Sequence, residues 1–205
     1  KADGQPALAI TDHGTIGGTV EFYIACKEAG IKPVVGCELY VDIDIAEAKS
    51  FPMHLTVLAA DLQGYRDLVE ANTQAAKQFY YRPRISLRQL TEKGWMKHWI
   101  VLTGCPSSPM NQMLRKGDEQ QAKLILQGLT QASAGVAIEI MYHKIENDPA
   151  FRQVQSDLLH FAFALSEEMG NPLVLTNDCH YVDAHSEQIH QTFLKETEGR
   201  VAGIE

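Results

Sequence analysis

This 205-residue sequence has no excess of positive charge. It carries 18 Lys and Arg side chains against 26 Asp and Glu, a formal net charge of −8. Proteins that grip nucleic acid over a broad surface depend on clustered Lys and Arg to neutralise phosphates. The composition therefore excludes that mode of binding, and any contact with nucleic acid must be local, assisted by a metal ion, or made by other domains.

Cysteine is scarce, and long apolar runs are absent. The four cysteines, Cys26, Cys37, Cys105 and Cys179, have no paired short spacing, which fits a reduced cytoplasmic compartment better than a disulfide framework. No apolar stretch approaches the ~18 residues of a membrane span, so we expect no membrane partner. The 45% of hydrophobic residues suffices for the core of one large α/β domain or two small ones.

Six short segments rich in Val, Ile and Leu alternate with segments of helical length. The predicted strands span residues 6–12, 33–41, 54–59, 99–103, 136–142 and 172–177. The predicted helices span residues 18–29, 62–79, 86–92, 106–132 with a break at Gly117, 149–169 and 186–198. Near-continuous apolar strands that alternate with helices predict an α/β fold with a parallel sheet buried on both faces, either open or closed into a barrel.

Residues able to bind a metal ion stand at the ends of almost all predicted strands. In a parallel α/β fold, the loops after the strands build the site. The candidates at these positions are Asp12, His13, Glu38, Cys105, Asp178 and His180, with Glu139 and His143 near the end of the fifth strand. Imidazole and carboxylate groups suit zinc, manganese or iron, whereas a thiolate favours zinc. Two or three ions close together could activate water and clamp a phosphate.

Several of these residues also have simpler explanations. The TDHG turn could be only a strand-to-helix connection in which Asp12 accepts hydrogen bonds from backbone donors. Cys105 could be a small buried hydrophobe. Glu139 and His143, which share one face of a strand, could support the ligands from outside or lie on the surface.

Other candidates are harder to explain without a ligand. A carboxylate such as Glu38, with apolar neighbours on both sides, needs a partner. Asp178 and His180 are two positions apart at a strand end and point the same way. The remaining histidines, which default to structural or solvent-exposed roles, are His98, His160, His185 and His190, the last with the alternative of lining the mouth of the site.

Five motifs, in this order and spacing, resemble one known family. They are ALAITDHG, GCELYV, HLTVLA, IVLTGC and LVLTNDCHY, and they resemble the PHP (polymerase and histidinol phosphatase) domain of the bacterial DNA polymerase III alpha subunits, the C-family replicative polymerases. The resemblance covers residues 6–194. It implies a distorted (β/α)7 barrel with a trinuclear metal site at one end, and residues 1–205 as a single PHP domain belonging to a longer, cytoplasmic polymerase chain.

Carried over by position, the resemblance implies a set of site residues. The implied metal ligands are His13, Glu38, His54, Cys105, Asp178 and His180. The implied catalytic residues are Asp12, His13, Asp178 and His180, with Asp12 as a carboxylate that orients a ligand imidazole. His54 rests on the resemblance alone, because it begins its predicted strand. The implied cofactors are divalent ions, zinc and/or manganese, up to three.

One family feature has no counterpart here. The first strand of the family supplies a His-x-His pair and then an acidic ligand, and nothing before TDHG contains either. We therefore expect the first strand of the barrel to be missing from this chain. Because the ligand set is then incomplete, we expect the chain to bind metal weakly.

Three functions are compatible with these features. The first is the PHP domain of a DNA-directed DNA polymerase in replication, with a metal-dependent phosphoesterase site that acts as a 3′–5′ exonuclease in proofreading. Its implied partners are the DNA 3′ end and replisome subunits such as an exonuclease subunit and a sliding clamp. The second is a free-standing phosphatase for a small phosphomonoester. The third is a metal-free scaffold that docks an exonuclease subunit.

Overall fold

Strands and helices alternate along the chain, as the sequence predicts. The computed structural model describes residues 4–43, 52–142, 149–183, 186–190 and 192. The strands are β1 (Ala7–Ile10), β2 (Lys32–Asp42), β3 (Met53–Ala59), β4 (Ile85–Ser86), β5 (Trp99–Leu102), β6 (Gly135–Met141) and β7 (Leu173–Thr176). The helices are α1 (Thr19–Ala29), α2 (Leu62–Lys77), α3 (Leu87–Lys93), α4 (Pro109–Arg115), α5 (Glu119–Ala132) and α6 (Pro149–Met169), with a 3₁₀ turn at Trp95–His98.

Local sequence explains where several of these elements begin and end. The predicted segment 106–132 is divided into α4 and α5 at Gly117, which adopts a left-handed backbone conformation (φ 78°). Ser86 begins α3 with a capping box, in which its hydroxyl accepts from the Gln89 backbone and the Gln89 side chain accepts from the Ser86 backbone. Most of the helix predicted at 186–198 lies outside the described residues.

The strands form a sheet in the order β1-β2-β3-β5-β6-β7, with β4 beside β2. Most neighbouring pairs are parallel, but β3 runs antiparallel to β2 and β5. The prediction of a wholly parallel sheet is therefore wrong for β3. Parallel neighbours need a crossover of about a dozen or more residues, usually with a helix, and only residues 43–52 separate β2 from β3.

The sheet is curled into a half-barrel. β1 and β7 are at opposite ends of the strand order, yet the loops that follow them meet, since His13 Nε2 lies 3.2 Å from His180 Nε2. Within the described residues, β1 and β7 each pair with a single neighbour. The architecture agrees with the distorted β/α barrel that the family resemblance implies. No helix of the described part of the chain is both long and apolar enough to cross a membrane.

The hydrophobic core lies between the central strands and the helices. It includes the fully buried side chains of Leu39, Leu55 and Val101 from the strands and Leu68 and Leu126 from the helices. Trp99 at the start of β5 is also fully buried, and its indole N–H donates to the carbonyl oxygen of Gly64 at 2.8 Å. This bond holds α2 directly against the start of β5.

We expect Gly64→Ala to destabilise the protein, although Ala is preferred to Gly inside a helix by about 1 kcal/mol. The added methyl group would overlap the backbone carbonyl oxygen of His98, and such overpacking costs about 1–3 kcal/mol. Gly128→Ala in α5 is the matched control, because no atom lies near its added methyl group. Urea denaturation should show a lower free energy of unfolding for the first variant and a higher one for the second. Stabilisation by both would contradict the close packing of α2.

Candidate metal centre

The TDHG turn holds His13 beside β2. The backbone N–H of Glu38 donates to the Asp12 carbonyl at 3.0 Å, and the N–H of Gly14 donates to the Glu38 carbonyl at 2.8 Å. These two bonds continue the parallel pairing of β1 and β2 past the end of β1. Gly14 has φ 60°, and a side chain there would collide with Pro83 and Tyr40. The sequence therefore needs glycine after the histidine in order to keep the turn packed against β2.

Glu38 joins two imidazoles at the centre of the site. Its carboxylate is almost fully buried, with Oε1 2.7 Å from His54 Nδ1 and Oε2 3.3 Å from His13 Nδ1. The three side chains offer ligand atoms that all lie within 4.8 Å of one another. This geometry gives the buried carboxylate the partners that the sequence requires, and it is compatible with a shared cation.

The reversed direction of β3 explains how His54 reaches this group. Because β3 is antiparallel to β2, its first residues lie where β2 ends, and His54 is paired in register with Tyr40. The start of β3 and the ends of the parallel strands are thus at the same edge of the sheet. The rule that strand ends carry the site residues misses His54 only because it assumes one strand direction.

Cys105 completes a compact group around His54. Its Sγ lies 3.5 Å from His54 Nδ1 and 4.0 Å from Glu38 Oε1. The loop after β5 is fixed by the Asn111 side-chain amide, which donates to the carbonyl oxygens of Gly104 and Cys105 at 3.2 and 3.1 Å. The thiol is half-buried and faces an imidazole and a carboxylate, so it has the contacts expected of a site residue.

His180 and Asp178 approach the group from the other end of the strand order. His180 Nε2 is 3.2 Å from His13 Nε2, and His180 Nδ1 lies 2.8 Å from the Asp178 carbonyl oxygen and 3.7 Å from Asp178 Oδ1. Both side chains are partly exposed. His190 lies next to them, with its ring 5.4 Å from that of His180, so the structure places it at the edge of the candidate site.

Asp12 does not occupy the position expected of an orienting carboxylate. Within the described residues, its side chain makes no hydrogen bond to an imidazole, and Oδ2 lies close to Gly18 at the start of α1. Both nitrogens of His13 instead face Glu38 and His180. The contribution of Asp12 that the structure does contain comes from its backbone carbonyl, which accepts from Glu38 and from the Cys37 thiol.

Two residues at the site have raised pKa values, which keep the Cys37 thiol neutral and the His54 imidazole charged near neutral pH. Burial raises the pKa of the Cys37 thiol to about 12, so this neighbour of Glu38 stays a protonated hydrogen-bond donor. Burial disfavours the charged form of His54, but the hydrogen bonds and charges of Cys105 and Glu38 outweigh it and raise the pKa of His54 to about 10. A cation that binds His54 Nδ1 must therefore displace a proton.

Tyr40 belongs to the site, although its sequence pattern does not indicate this. Its ring is stacked with that of His13 at 5.9 Å between centroids, and it meets the edge of His54 at 5.2 Å. The Tyr40 ring therefore packs against the imidazoles of two candidate ligands. In the sequence it is one more apolar position of a buried strand, and nothing in its pattern distinguishes it.

Glu139 is a second buried carboxylate, and it lies next to the site. It is 7% exposed, so the surface alternative is excluded. The Thr176 hydroxyl donates to its Oε1 at 2.6 Å, and no described residue bonds Oε2. Glu139 also lines a cavity of about 30 Å³ together with Cys105 and Gln155. Its companion in the sequence prediction, His143, lies outside the described residues.

Comparison with known proteins gives the site a context. The family model described as the PHP domain matches residues 1–143, a range that contains four of the six candidate ligands. DNA polymerase III subunit alpha of Chlamydia trachomatis is 32% identical over 92% of this chain and 17% of its own length. The same subunit of Deinococcus radiodurans is 33% identical over 94% and 15%, and that of Thermus aquaticus is 34% identical over 93% and 16%. The chain thus spans about a sixth of the length of these relatives.

We expect Glu38→Gln to weaken binding of Zn²⁺ or Mn²⁺ by more than the roughly 10–100-fold that loss of an outer hydrogen-bond partner costs. The affinity of the unaltered chain should rise between about pH 7 and pH 9, because binding releases the His54 proton. Isothermal titration calorimetry measures both. His160→Ala is the control, since His160 is exposed on α6 and bonds its own helix. Unchanged affinity in Glu38→Gln would contradict a centre built on that carboxylate.

The pH dependence of stability tests the burial of Glu139. Burial raises the pKa of its carboxyl, the Thr176 hydrogen bond partly offsets this, and the charges of Glu38 and Asp178 add to the rise. The unfolded chain ionises this group at its ordinary pKa of about 4.3. The folded state therefore loses stability as the pH rises above that value, until the folded group has ionised too.

Glu139→Gln removes this loss. In buffer with a chelator, its melting temperature relative to the unaltered chain should move in favour of the variant as the pH rises above about 4.3. Glu167→Gln, at an exposed position of α6, should show no such trend. A difference for Glu139→Gln that is independent of pH would mean that its carboxyl ionises equally in both states.

Proposed function

This chain belongs to the PHP domain family, and from that premise we propose that it forms the PHP domain of a bacterial DNA polymerase III alpha subunit and hydrolyses phosphodiesters at the 3′ end of DNA. The observation that carries the proposal is the convergence of His13, Glu38 and His54 from three neighbouring segments of the sheet. With Cys105 and His180 beside them, they form a nitrogen, oxygen and sulfur donor set at one edge. A purely structural core has no need of such a set.

The donor set fits a divalent transition metal. Imidazole and carboxylate bind zinc and manganese alike, and the thiol of Cys105 favours zinc. A cation held here would supply a water-derived hydroxide near neutral pH and neutralise charge on a phosphate. We assign ligation to His13, Glu38, His54, Cys105, Asp178 and His180, with up to three ions when the complete family ligand set is present.

The candidate ligands differ in how exposed their side chains are, and we assign them different roles on this basis. Glu38 and His54 are the more buried members and would fix the position of a cation. His13, His180 and Asp178 are more exposed, so they face the side from which a phosphodiester enters. His180 and Asp178 are close enough to that side to hold or transfer a proton during hydrolysis. Nucleotide addition by a polymerase would depend on residues that are not in this chain.

A metal-free scaffold is the second candidate, and one observation favours it. The ion pair between His54 and Glu38 at 2.7 Å already compensates the buried carboxylate without any cation. A domain that docks a separate exonuclease subunit in the cytoplasm could retain the same side chains for this structural reason. Elemental analysis of the purified protein separates the two candidates, because a scaffold should contain no metal.

We expect the chain supplied with Mn²⁺ or Zn²⁺ to shorten a 5′-labelled single-stranded oligonucleotide from its 3′ end, and Glu38→Gln and His180→Ala to reduce the rate to that of the chelated protein. Denaturing gel electrophoresis measures the products, and His160→Ala is the matched histidine control. Release of phosphate from histidinol phosphate without cleavage of DNA would indicate the small-molecule phosphatase instead. A metal-free protein that cleaves neither substrate would indicate the scaffold.

A further inference from the structure

A group of exposed aromatic side chains lies close to the candidate metal centre. Residues 79–82, with the sequence FYYR and called here the aromatic loop, follow α2. Phe79, Tyr80 and Tyr81 are 63%, 44% and 70% exposed. Three consecutive aromatic side chains in solvent form an apolar patch of the kind that marks a binding surface. In the whole chain only 8% of residues are aromatic, so their concentration here requires an explanation.

The aromatic loop is held in one conformation by buried contacts. The Arg84 side chain is buried, pairs with Asp42 at 3.3 Å and donates to the Tyr80 carbonyl at 3.2 Å. Its guanidinium also lies over the Tyr80 ring at 5.5 Å, and the ring of Tyr81 meets that of Tyr80 edge to face at 4.8 Å. Tyr81 adopts a left-handed backbone conformation, φ 57°, which is uncommon for a bulky residue. The exposed rings are therefore presented by a fixed support.

Direct contacts connect the aromatic loop to the candidate ligands. The Arg82 guanidinium lies 5.6 Å above the Tyr40 ring, and the same ring stacks with the imidazole of His13. Pro83 lies against Gly14, the residue after His13. One tyrosine ring thus separates the exposed cation of Arg82 from a candidate metal ligand.

We propose that the aromatic loop is a stacking platform for the terminal bases of a single-stranded nucleic acid whose phosphodiester lies at the metal centre. Exposed aromatic faces bind unpaired bases irrespective of sequence, and an arginine beside them can contact the backbone phosphate. Bases inside a duplex have no free faces, so the platform selects a frayed or single strand. The inference rests on the proposed function, because the position of the platform beside the centre identifies its ligand as the strand to be cut.

A local positive charge allows a nucleic acid to bind at this position despite the negative charge of the chain. The chain has a net charge of −8, so a polyanion needs a local cation, and Arg82 provides one beside the rings. Stacking on an uncharged ring also adds affinity without depending on the overall charge. The two contributions can be separated by experiment, because only one of them requires a base.

The test compares two labelled strands that differ only in their bases. One is an oligothymidine, and the other carries abasic residues at its 3′ end; both have phosphorothioate linkages to slow hydrolysis. Fluorescence anisotropy with Mn²⁺ gives the dissociation constants. The unaltered chain should bind oligothymidine more tightly, and Tyr81→Ala should weaken this by about 5- to 100-fold and abolish the difference between the strands. Arg82→Ala should weaken the binding of both strands by the same factor.

Two further variants control for the fold and for the ring. Tyr81→Phe keeps a stacking surface and should retain the preference for oligothymidine, whereas Phe163→Ala removes an aromatic side chain that is 54% exposed on α6 and should change nothing. Equal binding of both strands by the unaltered chain, or an unchanged preference in Tyr81→Ala, would overturn the platform even if DNA is cleaved. A base-dependent affinity that requires Tyr81, in a chain that cleaves no DNA, would support the platform and refute the proposed hydrolysis.

Discussion

The burial of one carboxylate on a central strand is the constraint from which most of the site follows. A charged carboxylate removed from water is costly unless it is paired, and Glu38 lies in the middle of β2 with only 7% of its surface exposed. β2 itself offers no cationic partner, because the residues two positions away on the same face are Gly36 and Tyr40. The partners come from the two adjacent segments, His13 after β1 and His54 on β3. The direction of β3 is therefore part of the site as well as of the fold.

The same constraint accounts for two states of the centre. A proton on His54, whose pKa is raised to about 10 by Cys105 and Glu38 against the effect of burial, compensates the carboxylate when no cation is bound. A divalent cation would compensate it more completely and would also reduce the repulsion between Glu38 and Glu139. The Glu38–His54 pair is consequently expected in an enzyme and in a scaffold alike. This pair does not separate the two roles, and metal content does.

The part of this arrangement that depends on strand ends is predictable from the sequence. Apolar segments and the residues after them were sufficient to bring His13, Cys105 and His180 to one edge of a sheet. Hydrophobicity contains no information on strand direction, so His54 came only from resemblance to a family. The length of the connection between β2 and β3, too short for a helical crossover, was the available signal. The roles of Tyr40 and Glu139 depend on packing between distant segments, which no local pattern encodes.

Charge decides how a phosphate chain can approach such a centre. Charges more than about 8–10 Å away are largely screened at physiological ionic strength, so the net charge of −8 matters less than the groups at the site. Those groups include the carboxylates of Glu38, Glu139 and Asp178, and a bound cation would reduce their repulsion of phosphate. Affinity for a polyanion must then vary with metal occupancy, whereas stacking on an uncharged ring does not. Aromatic contacts beside the centre would keep a strand end in place while the charge of the site changes, which is a physical reason to find tyrosines rather than additional lysines in this position.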